Sequence, residues 1–169
     1  MKLEEQRTGE LTRLGGLIEK IGTGMLTTMD GTVGPRSRPL ATLRMDAEPS
    51  LWFLTSISSR KIEEIDDASV VGVSYSDGRS DFVSVVGPAQ VIRDRDVIAG
   101  LWTPMAKVWF PGGVDDPDLA ALRVQIHRAE YWDGPNGTLT QLYAITKAVL
   151  TGDTEALGDH SELRLRRKG

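Results

Sequence analysis

Cysteine is missing from all 169 residues. That removes disulfides, thiolate zinc sites, iron–sulfur clusters and a cysteine nucleophile together, and leaves the chain indifferent to redox compartment. Histidine is nearly absent: His127 and His160 are the two in the chain. Neither has a second histidine at metal-binding or catalytic spacing, and both read as surface residues. No apolar run approaches the roughly 20 residues of a membrane span. The start, Met1-Lys2-Leu3-Glu4-Glu5-Gln6-Arg7, carries acids where a secretory signal needs an apolar stretch. The expectation is a soluble, cytoplasmic protein. An excess of positive charge is also lacking, since 20 Lys and Arg stand against 24 Asp and Glu for a formal net charge of −4. A nucleic-acid partner is therefore not expected. Gly22-Thr23-Gly24 lacks the third glycine of a dinucleotide-binding loop and precedes a strand where that loop precedes a helix. Asp115, Asp116 and Asp118 lack the spaced acids and closing glutamate of a calcium loop and read as a solvated loop.

What is present is an ordinary globular composition, 40% hydrophobic and 26% charged, of a size that favours one domain over residues 1–169. Leu3, Leu11, Leu14, Leu17, Ile18 and Ile21 recur near helical spacing, which predicts an amphipathic helix over about 3–20, ended by Gly22 and Gly24. A barrel or sandwich of short strands is expected over about 23–133. Met25–Met29 and the extended run Arg36–Met45 flank the turn signal Asp30-Gly31 and form a hairpin. Leu51–Thr55 is a buried strand, and Ser59–Asp66 is a short helix with Ile62 and Ile65 on one face. Val71, Val73 and Tyr75 mark another strand, and Asp81–Arg93 a further one with a bulge at Gly87-Pro88. Residues 96–109 are partly helical. Leu122, Val124 and Ile126 alternate as in a half-buried strand continuing to Trp132. A closing helix through Leu139, Leu142, Tyr143, Ile145, Ala148 and Val149, with a solvated basic tail, occupies 136–169.

Three constellations carry candidate chemistry. Ser58-Ser59-Arg60-Lys61 stands at a helix start, where capping serines, free amides and two cations suit a phosphate. An ordinary capped helix with exposed basic side chains fits the same residues. Cations in a first helical turn oppose the macrodipole by about 0.3 to 1 kcal/mol each, which favours a nearby anion, although Glu63 and Glu64 offset part of this. Arg36-Ser37-Arg38-Pro39-Leu40-Ala41-Thr42-Leu43-Arg44 puts a proline inside a strand, so its backbone lies at an edge or bulge open to a ligand's polar atoms or to water. The run Trp102 to Gly113 concentrates Trp102, Trp109 and Phe110, a target for a flat ring, for a partner subunit, or for core packing.

Taken in order, Met25–Met29, the Arg38-Pro39 strand, Leu51-Trp52-Phe53-Leu54-Thr55 followed by Ser59-Arg60-Lys61, Trp109-Phe110-Pro111-Gly112-Gly113, and Glu130-Tyr131-Trp132-Asp133-Gly134-Pro135 resemble the general stress protein branch of the pyridoxamine 5′-phosphate oxidase-like family. The resemblance covers about residues 5–155. It implies a mainly β fold with flanking helices, a six-stranded antiparallel split barrel that forms a homodimer with flavin mononucleotide (FMN) in sites at the dimer interface. It assigns the flavin phosphate to Arg38, Ser59, Arg60 and Lys61. The isoalloxazine would run along Pro39, Leu40, Ala41 and Thr42, with Leu54, Thr55 and Ser56 behind and Trp109 supplied by the other subunit. The pyridoxal-binding residues of the true oxidases have no recognisable match near the C-terminus, which argues against vitamin oxidation. The resulting expectation is a flavin-dependent oxidoreductase passing electrons between a reduced nicotinamide and a small oxidant, with no side chain evident as acid, base or nucleophile. A non-catalytic flavin-sequestering stress protein is the rival, and FAD, a deazaflavin or haem are the alternative ligands.

Overall fold

The computed structural model describes residues 1–67, 69–134 and 159–165. Helix α1 spans Gly9–Ile21, starting later than the leucine spacing predicts. Thr8 sets that start: its backbone is extended and its Oγ1 accepts the Leu11 N–H at 3.2 Å. The residues before it form a two-residue strand, β1 (Lys2–Leu3), parallel to β4 (Arg44–Met45). Gly22 ends the helix at φ 77°, donating its N–H to the Ile18 carbonyl.

The remaining strands and α-helices of the described residues, with the 3₁₀ segment that bears on the site, are β2 (Thr23–Asp30), β3 (Gly34–Ala41), β5 (Ser50–Ser56), α2 (Arg60–Asp67), β6 (Val70–Ser76), β7 (Phe82–Ile92), α3 (Arg95–Leu101), the 3₁₀ segment Pro104–Val108, β8 (Leu119–Gln125), β9 (Arg128–Asp133) and β10 (Asp159–Arg164). The six strands of seven or more residues lie side by side in the order β5-β8-β7-β6-β2-β3. The ends of that run meet because the chain leaving β3 bends at Thr42-Leu43. The Thr42 N–H goes to the Gly22 carbonyl and the Leu43 N–H to the Trp52 carbonyl, both at 2.8 Å, and β4 then pairs with β5. The architecture is mainly β with few helices, as expected for a split barrel.

The split is built at Gly87-Pro88. Before it β7 pairs with β9 through Phe82–Val86, and after it with β8 through Ala89–Ile92. A side chain at position 87 would put its Cβ 1.7 Å from the Gln125 carbonyl oxygen, so only glycine allows the crossing. The same crossing divides the strand expected from Leu122 to Trp132 into β8 and β9. Between them the Ile126 N–H turns to Pro49 and the His127 N–H to Val86.

Two apolar clusters follow. Leu14, Ile18, Leu26, Leu51, Phe53, Val73, Val85, Leu122 and Tyr131 fill the barrel beneath α1. Trp52, Ile98, Leu101, Phe110, Leu119 and Ala121 form a second cluster with α3. Strand β5 supplies both, which explains its unbroken apolar run. The C-terminal tail differs from expectation as well: β10 pairs antiparallel with β9, and Leu163 is buried in the main cluster. The helix expected around Leu139–Val149 lies outside the described residues. Among the described residues no helix is long and apolar enough to cross a membrane.

Candidate functional site

Strand β3 ends the run, paired with β2 among the described residues and with Pro39 opposite Met25. Its last residues, the bend at Leu43, the end of β5 and the 3₁₀ segment enclose a cavity of about 540 Å³, within the range of small-molecule sites. Thr23, Pro39, Leu40, Ala41 and Leu43 line one side, Leu54, Thr55 and Ser56 another, and Thr103, Met105, Ala106, Trp109 and Phe110 a third. Lys61 from α2 is the one charged residue among them. Thr55 is 2% exposed, and its hydroxyl has no hydrogen-bond partner among the described residues. Such a group costs about 1–3 kcal/mol when buried alone, an expense a ligand's polar atom would offset.

The turn leading into α2 forms the polar end. Lys61 Nζ donates to Ser59 Oγ at 2.8 Å, and Ser59 Oγ donates to the Ser56 carbonyl at 2.7 Å. Asp118 accepts the Ser58 N–H at 2.8 Å and the hydroxyls of Ser56 and Ser58. Those bonds, the Ser56 one foremost, hold its carboxyl below the usual range. The loop around Asp118 is therefore fastened to the site, where the sequence reads as solvated. Burial, and next the Arg38 charge, push the Lys61 amine below its ordinary value. No carboxylate lies within ion-pair distance of it among the described residues.

A cluster of charges adjoins Lys61. Arg38 Nη2 donates to Glu64 at 2.7 Å and Nη1 to Thr28 Oγ1, while the Thr28 hydroxyl donates to Glu64. Arg36 lies 3.3 Å from Asp30 and 3.4 Å from Glu64. Arg60 reaches Asp30 at 3.1 Å. Both acids are buried. Burial pushes Glu64 up, but the bonds from Thr28 and Arg38 and the charges of Arg38 and Arg36 outweigh it, leaving the carboxyl below the usual range. Asp30 is held far below it, first by the Thr32 hydroxyl.

Of the residues singled out from the sequence, Pro39, Leu40, Ala41, Leu54, Thr55, Ser56, Lys61 and Trp109 line the cavity. Trp109 lines it within the single chain. Ser59 touches the site through Lys61. Arg38 and Arg60 do not line it and stand in ion pairs with Glu64 and Asp30. Thr42 turns inward, its hydroxyl bonded to that of Tyr75 at 2.8 Å. Phe110, for which the sequence left a flat ring, a partner subunit and core packing open, is 8% exposed against α3's cluster and also lines the cavity. Met105 and Phe110 belong to the aromatic run, so their presence had a signal. Glu64 and Asp30 had none beyond charge, because their partners come from other elements.

Comparison with known proteins agrees with this fold. The family model described as pyridoxamine 5'-phosphate oxidase like matches residues 9–156. The protein bli-3 of Neurospora crassa is 27% identical over 139 residues, 76% of this chain and 66% of that protein. The chain thus spans about two thirds of that relative's length. A Clostridium acetobutylicum protein related to general stress protein 26 of B. subtilis superposes with a TM-score of 0.70 at 19% identity, over 92% of this chain and 94% of that one. The general stress FMN/FAD binding protein of Xanthomonas citri superposes with a TM-score of 0.67 at 27% identity, over 77% and 93%. With the family model covering most of the sequence and the fold in agreement, the chain belongs to the pyridoxamine 5′-phosphate oxidase-like family.

Proposed function

We propose that the cavity binds a flavin, FMN in preference to FAD, and that the protein is a flavin-dependent oxidoreductase passing electrons between a reduced nicotinamide and a small oxidant. The observation that carries the reading is the chemistry of the cavity. Apolar walls enclose one buried hydroxyl, Thr55, without a partner among the described residues, and at one end stands a desolvated cation, Lys61, which feels Asp118 and Glu64 but forms no close ion pair among the described residues. A flat heteroaromatic ring with polar edge atoms and one phosphate satisfies all three features. The like charges of Lys61 and Arg38 disfavour each other until an anion sits between them. The FMN/FAD binding protein of Xanthomonas citri, 27% identical, supports the ligand class. Asp118 supports the choice of FMN, since it already takes the Ser58 N–H and two serine hydroxyls, and a second phosphate there would meet a carboxylate.

Bound flavin would supply electron or hydride transfer at its ring, and the protein would supply binding, orientation and exclusion of water. Among the described residues no carboxylate or imidazole lines the cavity, and Lys61 is the one titratable group there. That favours the storage role as the second reading. We place the functional unit in a homodimer, because Met105, Val108 and Trp109 are 74%, 71% and 78% exposed beside the cavity, and exposed apolar groups of this kind mark interfaces.

Calorimetric titration with FMN, FAD and riboflavin tests the binding. FMN should bind at least about tenfold more tightly than riboflavin. In Thr55→Val both should weaken together, by roughly 3- to 10-fold, while the ligand-free protein is unchanged or stabilised by about 1 kcal/mol. Equal affinity for FMN and riboflavin defeats the phosphate assignment. Oxidation of a reduced nicotinamide by the FMN-loaded protein, followed by absorbance, separates turnover from storage.

A further inference from the structure

Arg38 has more structure around it than a phosphate ligand requires. Its Nη2 meets Glu64 at 2.7 Å and its Nη1 meets Thr28. Glu64 is 6% exposed, a burial that carboxylates rarely have without a cation. The Thr28 hydroxyl and Arg36, at 3.4 Å, complete its shell. A guanidinium carries five N–H donors. With one given to Glu64 and one to Thr28, three have no acceptor among the described residues. Glu64 lies on α2 three positions after Lys61, and Arg38 and Thr28 come from the β2–β3 hairpin. The carboxylate therefore ties the hairpin to the helix that carries Lys61.

We infer that Glu64 is a positioning residue for phosphate recognition, holding the Arg38 guanidinium beside Lys61 with its remaining N–H groups left for the anion. The inference rests on the flavin-phosphate reading above. An arginine free to sample its rotamers must be ordered at each binding event, and one already clamped is not. The clamp carries negative charge toward a phosphate, but Arg36 and Arg38 contact Glu64 directly and cancel most of its field.

The test is titration of Glu64→Gln and Thr28→Val with FMN and with riboflavin. Glu64→Gln should weaken FMN about tenfold and leave riboflavin within about twofold. Thr28→Val keeps the shape and loses the shared hydroxyl, and should weaken FMN about threefold with riboflavin again unmoved. A purely structural role would move both ligands together. FMN binding that is unchanged or tighter in Glu64→Gln overturns the inference, tighter binding meaning that Glu64 competes with the phosphate. If Glu64→Gln does not fold, Thr28→Val decides by the same ratio. Should the unmodified protein itself bind FMN and riboflavin equally, the flavin-phosphate reading fails and takes this inference with it. A preference for FMN that both variants retain undiminished overturns the inference alone.

Discussion

Lys61 shows what one side chain contributes. Burial, and next the Arg38 charge, outweigh the opposing pull of Asp118 and Glu64, and the residue stands in the first turn of α2, where the macrodipole also opposes a cation. Its amine is therefore more acidic in the folded protein than in the unfolded chain, whose value is near 10.5. Between the two values the unfolded state binds more protons, so stability attributable to this group rises with pH across that window, up to about 10.5. Lys61→Met should flatten that rise and stabilise the ligand-free protein at neutral pH by up to about 1 kcal/mol. The same variant should weaken FMN roughly 10- to 100-fold and spare riboflavin. Urea midpoints across the alkaline range, with and without FMN, measure both effects. Bound phosphate should itself abolish the rise, by restoring the charge of the ammonium. Identical pH profiles for the variant and the parent would remove Lys61 from the site. The sequence shows the oddity of two cations at a helix start, yet the structure treats them differently. Arg60 is paired with Asp30 and largely exposed, while Lys61 is turned into the cavity.

At the scale of elements, the hairpin of β2 and β3, the buried strand β5 and the short helix α2 follow from local pattern, because turn residues and apolar spacing act over a few positions. Gly87 belongs to the same level: a Gly-Pro pair inside a strand announces a bulge, and the structure makes it the point where β7 changes partner. Gly87→Ala should destabilise the fold by about 3 kcal/mol, since its Cβ would meet a backbone oxygen that no side-chain rotation moves aside. Thermal or denaturant unfolding checks this, and a loss under about 1 kcal/mol would mean that the crossing yields. The start of α1 and the strand β10 were not legible. In α1 the leucine spacing extends past the true start, and the Thr8 cap decides where the helix begins. In β10 a stretch rich in charge reads as solvated, and Leu163 becomes a core residue because β9 offers an edge for it to pair with.

For the whole molecule, the exposed group of Met105, Val108 and Trp109, of which Met105 and Trp109 line the cavity, is the face that the proposed homodimer would cover. Light scattering should give a mass near twice the 18.5 kDa of the chain. Trp109→Ser, at a side chain 78% exposed in the single chain, should change its stability by no more than about 0.5 kcal/mol. It should nevertheless weaken both dimer and flavin binding. A monomer at micromolar concentration that binds FMN fully would refute the shared-site arrangement.

The sequence by itself determined the strand-rich class, the turns, the buried run of β5, the proline-interrupted strand around Pro39, and the pair of cations, Arg60 and Lys61, at a helix start. These are consequences of neighbours along the chain, where periodicity, proline and glycine act directly. The tertiary structure alone decided that β3 bends through Thr42-Leu43 to close the barrel, with the Thr42 hydroxyl given to Tyr75. It alone also set Glu64 against Arg38, Asp30 against Arg60 and Asp118 against Ser58, and left Thr55 without a partner. Each of these pairings brings together groups 26 to 60 residues apart, with Glu64 and Asp30 themselves buried. There the cost of an unpaired charge or hydroxyl selects the partner, and that cost exists only once the chain has folded around it.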